Sequence, residues 1–279
     1  MLLKKLLTAV KNPARGAAQS VEYPLEIEDK LNRAHGQAPL ERHLDILYGD
    51  VHIGGENFVE LYRRCLQQTG TAVTPFNVFQ RFQTRLDLAR YFLATLNLPG
   101  ARAECGVYRG ATALLLCHIW RNQRSGFDGN DFYLIDSYAG NSASGEHDLI
   151  AARGDDGTPR REAFFPAGKT DTSPELVRGL FADFPNVRIC AGWIPEVFST
   201  LPARDWAFVH LDLTLFEPTS VALAYFYPRL TEGGVIICDG SIFCPGAATA
   251  CERFCTEHDI PFVTLGHREY VIVKQTSSA

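Results

Sequence analysis

The chain has 279 residues, 46% of them hydrophobic and 21% charged, with a net charge of −5. These are the proportions of a globular protein, and they exclude a disordered chain, a collagen and a long coiled coil. The mild acidity gives no electrostatic reason to bind nucleic acid, and no apolar stretch approaches the ~20 residues of a membrane span.

At the N-terminus, Lys4 and Lys5 precede Leu6-Leu7-Thr8-Ala9-Val10, the opening of a signal-peptide pattern. Lys11-Asn12-Pro13 stops the apolar core short of the ~7–15 residues that export needs, so the segment reads as short and amphipathic and the chain as cytoplasmic. The eight cysteines include no C-x-x-C pair and sit mostly inside apolar runs. That predicts buried thiols in a reducing compartment, with neither a disulfide framework nor a zinc site.

Residues 1–40 are polar and irregular, an arm that packs on something else. Residues 56–69 space Phe58, Leu61, Tyr62, Cys65 and Leu66 as an amphipathic helix does. The pattern returns at greater length over residues 76–97. Phe76, Phe79, Phe82 and Phe92 form its apolar stripe, and Pro99-Gly100 ends it. From residue 101 onward strands and helices alternate. Strands are predicted at 103–107, 132–136, 187–190, 206–212 and 235–239, the last introduced by Gly233-Gly234. Helices are predicted at 110–121, 173–183, 218–230 and 245–257, with Ser173 as an N-cap ahead of Pro174. Residues 262–265 and 270–273 flank Gly266-His267-Arg268-Glu269 as a terminal hairpin. Residues 141–172 are rich in Gly, Asp and Ser, and a loop that long is usually functional. The pattern predicts an α/β fold. Its sheet is mostly parallel, with helices on both faces and a C-terminal antiparallel hairpin at one edge.

Open parallel sheets bind ligands beyond the carboxyl ends of their strands. Asp136, Asp212 and Asp239 close predicted strands and Glu104 lies in a fourth that runs into a glycine turn, forming a ring of carboxylates at one rim. Glu104-Cys105-Gly106-Val107-Tyr108-Arg109-Gly110 has the form E-x-G-x-x-x-G. Gly106 allows a tight turn against a ligand, and Gly110 starts the next helix close to it. A carboxylate there would repel a pyrophosphate and suits an amine or a cationic centre. Asp136, at the next strand end, is placed to bond ribose hydroxyls. Each motif alone also reads as plain structure, a strand–turn–helix with structural glycines and a turn cap at Asp136-Ser137. Together they favour a positively charged nucleoside cofactor, and S-adenosylmethionine has the required ribose, amino acid and sulfonium.

Seven segments follow one another in order. They are Glu104–Gly110, Leu134-Ile135-Asp136-Ser137-Tyr138, Gly192-Trp193-Ile194-Pro195-Glu196, His210–Thr219, Phe226-Tyr227-Pro228-Arg229-Leu230, Gly233–Asp239 and Cys244-Pro245-Gly246-Ala247. Together they resemble the macrocin-type (TylF/MycF) O-methyltransferases, from about Gly100 to the C-terminus. The resemblance implies a Rossmann-like methyltransferase fold with S-adenosyl-L-methionine as donor. The implied acceptor is a hydroxyl on a sugar or other secondary metabolite. Many members use Mg²⁺. Residue by residue, it assigns Glu104, Gly106, Tyr108 and Gly110 to the methionine end of the cofactor. Asp136 with Ser137 falls to the ribose, and Thr172 and Ser173 to a segment near the adenine. Asp212 and Asp239 match two metal-binding aspartates. On this basis residues 1–85 form an arm and helical region that caps the site or builds a homodimer, and residues 86–279 form the methyltransferase domain.

Two positions depart from the family. Its L-D-x-D-L-Y pattern reads Leu211-Asp212-Leu213-Thr214-Leu215-Phe216, so Thr214 replaces a candidate general base. Its paired aspartates at the next strand end read Asp239-Gly240. Mg²⁺ held by Asp212 and Asp239 alone would bind more weakly. The acceptor proton would then pass to Asp212 or to His147, which also reads as a solvated loop histidine; His210 reads as packing within its strand. Two alternatives stay open. One is a methyltransferase-fold protein that binds the cofactor without O-methylation; the other is an N-methyltransferase without metal.

Overall fold

The computed structural model describes residues 40–71, 81–153, 156–240, 245–266 and 268–276. The N-terminal arm, Phe76, Phe79, Cys244 and His267 lie outside the described residues. Two compact units divide the chain, one of residues 1–37 and 151–161, the other of residues 38–150 and 162–279. The described part of the first belongs to a two-stranded hairpin, β5 (Leu149–Arg153) with β6 (Pro159–Ala163). Arg153 Nη1 donates to Gly157 O there at 3.1 Å.

In the second unit α1 (Leu40–Tyr48) and a short strand pair, β1 (His52–Ile53) and β2 (Glu56–Asn57), lead into α2 (Phe58–Gln68). The Asn57 side chain caps α2 by accepting from Glu60 N at 3.0 Å. Then come α3 (Phe82–Ala94), β3 (Ala101–Cys105), α4 (Ala111–Gln123) and β4 (Phe132–Asp136). After the long connection follow α5 (Pro174–Leu180), β7 (Arg188–Ala191), β8 (Trp206–Leu211), α6 (Phe216–Phe226), β9 (Leu230–Asp239), α7 (Pro245–Glu257), β10 (Phe262–Thr264) and β11 (Glu269–Val273).

The main sheet has seven strands in the order β10-β11-β9-β8-β3-β4-β7. Neighbours from β9 to β7 are parallel; β11 runs antiparallel to β9 and β10 antiparallel to β11. From β3 the chain builds one way to β4 and β7, then returns to the other side at β8. The strand order therefore reverses between β3 and β8, and a crevice opens at their carboxyl ends.

The two-residue period of each strand sorts its side chains between two cores. Ala101, Ala103 and Cys105 face one, with Trp206, Leu211 and Phe226. The other face meets α2, α3 and α4 through Phe58, Phe82, Phe92 and Trp120. Arg102 and Glu104 fall on this second face and stay buried. Arg102 is accommodated because its Nη2 donates to Thr95 O at 2.9 Å and Leu96 O at 3.2 Å, carbonyls at the end of α3, while its guanidinium lies over Trp120. Burial, and then Arg124, still pushes its pKa down to about 10.

Three predicted bounds move for identifiable reasons. β9 starts at Leu230 because Gly233-Gly234 lies inside the strand, where its register with β8 slips between Trp206 and Phe208. α6 starts at Phe216 because Asp148 Oδ1 accepts from Phe216 N at 2.7 Å. The long connection is not uniformly irregular either. The same carboxylate accepts from Gly145 N at 2.8 Å, closing a 3-10 turn over Glu146–Asp148, and the β5–β6 hairpin follows. No helix among the described residues is long and apolar enough to cross a membrane.

Asp148→Ala removes both bonds from a buried carboxylate and is expected to cost about 1–2 kcal/mol in denaturant unfolding. His118 offers a pH test. Burial, then Arg121, pushes it down to about 4 from 6.5. The folded chain thus keeps His118 neutral where the unfolded chain takes a proton. Stability should rise with pH between about 4 and 6.5 and level off above, by as much as about 3 kcal/mol. His118→Gln should flatten that part of the profile in urea unfolding.

Candidate active site

The crevice between β3 and β8 holds the predicted cluster. Asp212 N donates to Cys105 O at 2.8 Å, which brings the two strand exits together. Gly106 has φ +85°, and a Cβ there would lie 2.0 Å from Asp212 O, so only glycine fits the crossing. Gly106, Tyr108, Glu104 and Asp212 line one cleft with Tyr62 of α2 and Arg85 of α3. Gly110, with φ +83°, occupies the N-cap of α4.

Glu104 is 1% exposed. Its Oε1 pairs with His210 Nδ1 at 2.9 Å, and its Oε2 has no partner. Burial pushes the His210 pKa down despite Glu104. A neutral imidazole bonded this way donates from Nδ1 and leaves Nε2 as an acceptor. His210 does pack within its strand, and it also orients Glu104.

Asp136 ties β4 to the first turn. Its Oδ2 accepts from Val107 N at 2.6 Å and Tyr108 N at 2.8 Å, and its Oδ1 from Tyr138 N at 2.7 Å. A carboxylate has about four acceptor positions, so one remains. Ser137 closes the local turn, with Oγ donating to Gly140 O at 2.9 Å. Thr172 N donates to Tyr138 O at 3.1 Å, drawing that segment to the end of β4. Ser173 Oγ accepts from Leu176 N at 3.1 Å as the N-cap of α5.

Asp212 and Asp239 meet two guanidiniums. Arg81 Nη1 lies 3.0 Å from Asp212 Oδ2 and also bonds Asp239 Oδ2. Arg85 Nη2 lies 2.9 Å from Asp212 Oδ2 and 3.5 Å from Asp239 Oδ2. Arg85 Nε donates to Thr112 Oγ1 on α4 at 2.8 Å, while its Nη1 is buried without a partner. Burial works against the Arg81 charge, but Asp212 and Asp239 outweigh it and raise its pKa. Glu269 stands opposite Asp239 across β11 and β9. Burial, then Asp239, pushes it up to about 9, so it is a neutral acid at pH 7.

Of the other predicted residues, His147 is exposed and packs its ring on Phe216 at 4.3 Å. Thr214 has φ +68°, with Leu215 N bonded to Leu213 O at 2.6 Å. That is a γ-turn centred on a β-branched residue, a strained arrangement. A Cβ on Gly240 would lie 2.7 Å from Tyr270 Cε2 and 2.9 Å from Arg268 O, so a second aspartate would have to displace the tyrosine ring. The sequence reading missed Arg81, Arg85 and Glu269. A signal for the arginines was present, since they stand four apart among the apolar residues of a helix, where a buried guanidinium needs a carboxylate.

Comparison with known proteins adds the following. A demethyldecarbamoylnovobiocin O-methyltransferase of Streptomyces niveus is 29% identical over 170 residues, covering 59% of this chain and 61% of the relative. A 4'-O-methyltransferase of Streptomyces olivaceus, acting on 8-demethyl-8-(2,3-dimethoxy-alpha-L-rhamnosyl)-tetracenomycin-C, is 28% identical over 162 residues, covering 56% and 59%. The chain thus spans about three-fifths of the length of these curated relatives. The fold matches the O-methyltransferase NovP at a TM-score of 0.55 and 22% identity over 76% of this chain and 88% of that one. It matches the calicheamicin methyltransferase CalS11 at 0.57 and 16% identity over 80% and 94%. The macrocin-O-methyltransferase (TylF) family model matches residues 46–264, taking in the cleft, both arginines and all four strand-end carboxylates, and the chain belongs to that family.

Proposed function

We propose that this chain transfers a methyl group from S-adenosylmethionine to a hydroxyl of a small molecule, a sugar or other secondary metabolite. The observation that carries the reading is Glu104 Oε2, a buried carboxylate oxygen without a partner in the wall of a cleft at the switch point. An orphaned acceptor of that kind suits a cationic ligand. The O-methyltransferase relatives support the same class of reaction.

When bound, the cofactor supplies an electrophilic methyl on a sulfonium. Glu104 would hold the ammonium of its amino-acid end, with His210 fixing the carboxylate. Gly106 and Gly110 leave room for it, and Tyr108 borders it. The remaining acceptor position of Asp136 would take a ribose hydroxyl, with Ser137, Thr172 and Ser173 towards the base. Positioning of this sort contributes as much as ~7–11 kcal/mol to a displacement. In this reading Asp212 would take the acceptor proton, a role worth roughly 10²–10⁴-fold. His147, whose ring packs against Phe216 at the start of α6, is the other candidate.

The region before residue 86 supplies Tyr62, Cys65 and Leu66 to the cleft and acts as its cap in this reading. A homodimer built through it and a cytoplasmic setting belong to the same reading. Buried free thiols such as Cys105, Cys117 and Cys238 support the reducing compartment. The ion pairs on Asp212 favour a second reading, in which the protein binds the cofactor without methylating an oxygen.

Calorimetric titration with S-adenosylhomocysteine should give micromolar binding, weakened at least about tenfold by Glu104→Gln and by Asp136→Asn. Unchanged affinity in both variants would remove the cofactor from this cleft. Labelled methyl transfer to a panel of hydroxylated acceptors separates the two readings, since binding without transfer to any of them leaves the second.

A further inference from the structure

Asp212 and Asp239 are the residues that resemblance assigns to a metal, and their surroundings do not fit one. One ligand atom each from His210, Asp212 and Asp239 lies within 4.8 Å of the others, so three donors are close together. Both Oδ2 atoms, however, already accept from guanidiniums, and Arg81 Nη1 touches the two of them at once. The point between the carboxylates is therefore taken by a guanidinium nitrogen. Mg²⁺ would need its own shell of oxygens at ~2.0–2.1 Å around that point.

Charge leads to the same conclusion. Two guanidiniums balance two carboxylates. A dication added to the four would leave a net charge of +2 in a partly buried site. Thr214 carries no carboxylate and Gly240 has no room for one, so neither position supplies a negative charge to offset it. Admitting the ion means turning both arginines away. The Arg85 side chain is 3% exposed and anchored to Thr112, so it has no solvent to turn into.

We propose that Arg81 and Arg85 take the place of the divalent cation in this site, and that Arg85 Nη1, buried in the cleft wall without a partner, donates to the acceptor oxygen that a metal would otherwise hold. The proposal rests on the methyl-transfer reading for the identity of the acceptor, but not for the exclusion of the cation. Holding by N–H donation fixes an oxygen without ionising it as strongly as a metal does. The proton then passes directly to Asp212, whose position the same two arginines fix.

Titration of the full chain with Mn²⁺, followed by electron paramagnetic resonance, tests this without acceptor or methyl donor. Wild type should bind no Mn²⁺ up to about 1 mM, with or without S-adenosylhomocysteine. Arg81→Gln and Arg85→Gln release the carboxylates and should each gain Mn²⁺ binding at least about tenfold tighter. Arg85→Lys keeps the charge and should exclude the ion as wild type does. Stoichiometric Mn²⁺ binding by wild type below about 100 μM would overturn the proposal, with His210 Nε2 then the natural third ligand. Failure of both folded Gln variants to bind would overturn it too. If neither Gln variant folds, the wild-type titration decides alone. S-adenosylhomocysteine binding reports separately on the methyl-transfer reading, so the two can fail independently.

Discussion

Two guanidiniums against two carboxylates fix helix α3 on the carboxyl rim of the sheet. Arg81 and Arg85 reach Asp212 after β8 and Asp239 at the end of β9, and Arg85 also grips Thr112 on α4. At the other end of α3, Arg102 of β3 holds the carbonyls of Thr95 and Leu96, which follow its last turn. The helix is thus held by arginines at both ends, in one case its own and in the other the sheet's. Breaking a buried pair of this kind by removing one partner typically costs about 3–5 kcal/mol, far more than a surface bridge. The cleft wall formed with α2 follows from that constraint, as does the local neutrality of a rim that would otherwise carry adjacent uncompensated carboxylates.

The rim also concentrates strain and close approach. Gly106 accepts a crossing that no side chain fits, while Thr214 sits at positive φ in a γ-turn, a strain of about 1–3 kcal/mol. An aspartate at this position, as in the family pattern, would add a charge that the arginines do not balance. Threonine at 214 and glycine at 240 are therefore consistent with a rim whose charge is closed by Arg81 and Arg85.

Much of the fold was legible in the sequence because it rests on local pattern. Phe132–Asp136 and Pro245–Glu257 match their predicted bounds, since an apolar run or a helical stripe with clear stops depends on neighbours a few residues away. The cluster of Glu104, Asp136, Asp212 and Asp239 was legible for a different reason. Parallel strands place their carboxyl ends together whatever the loops do. The rest needed contacts between distant residues. Arg85 and Asp239 are 154 positions apart, and nothing in a helical stripe names the strand end that an arginine meets. Asp148 looked like one acid in a polar loop, yet it caps α6 across 68 positions. Glu269 fell in a predicted turn, and only its pairing with Asp239 across β11 and β9 explains why it is buried and neutral.

As proposed, a cofactor cleft at the switch point adjoins a rim closed by arginines instead of an ion. A crystal structure of the chain grown with S-adenosylhomocysteine and soaked in Mn²⁺, with anomalous data at the manganese edge, tests both parts at once. The account predicts the cofactor product between the Glu104–Gly110 turn and Asp136, Arg81 and Arg85 still on Asp212 and Asp239, and no anomalous peak between those carboxylates. A manganese peak there, with the guanidiniums turned away, would contradict it.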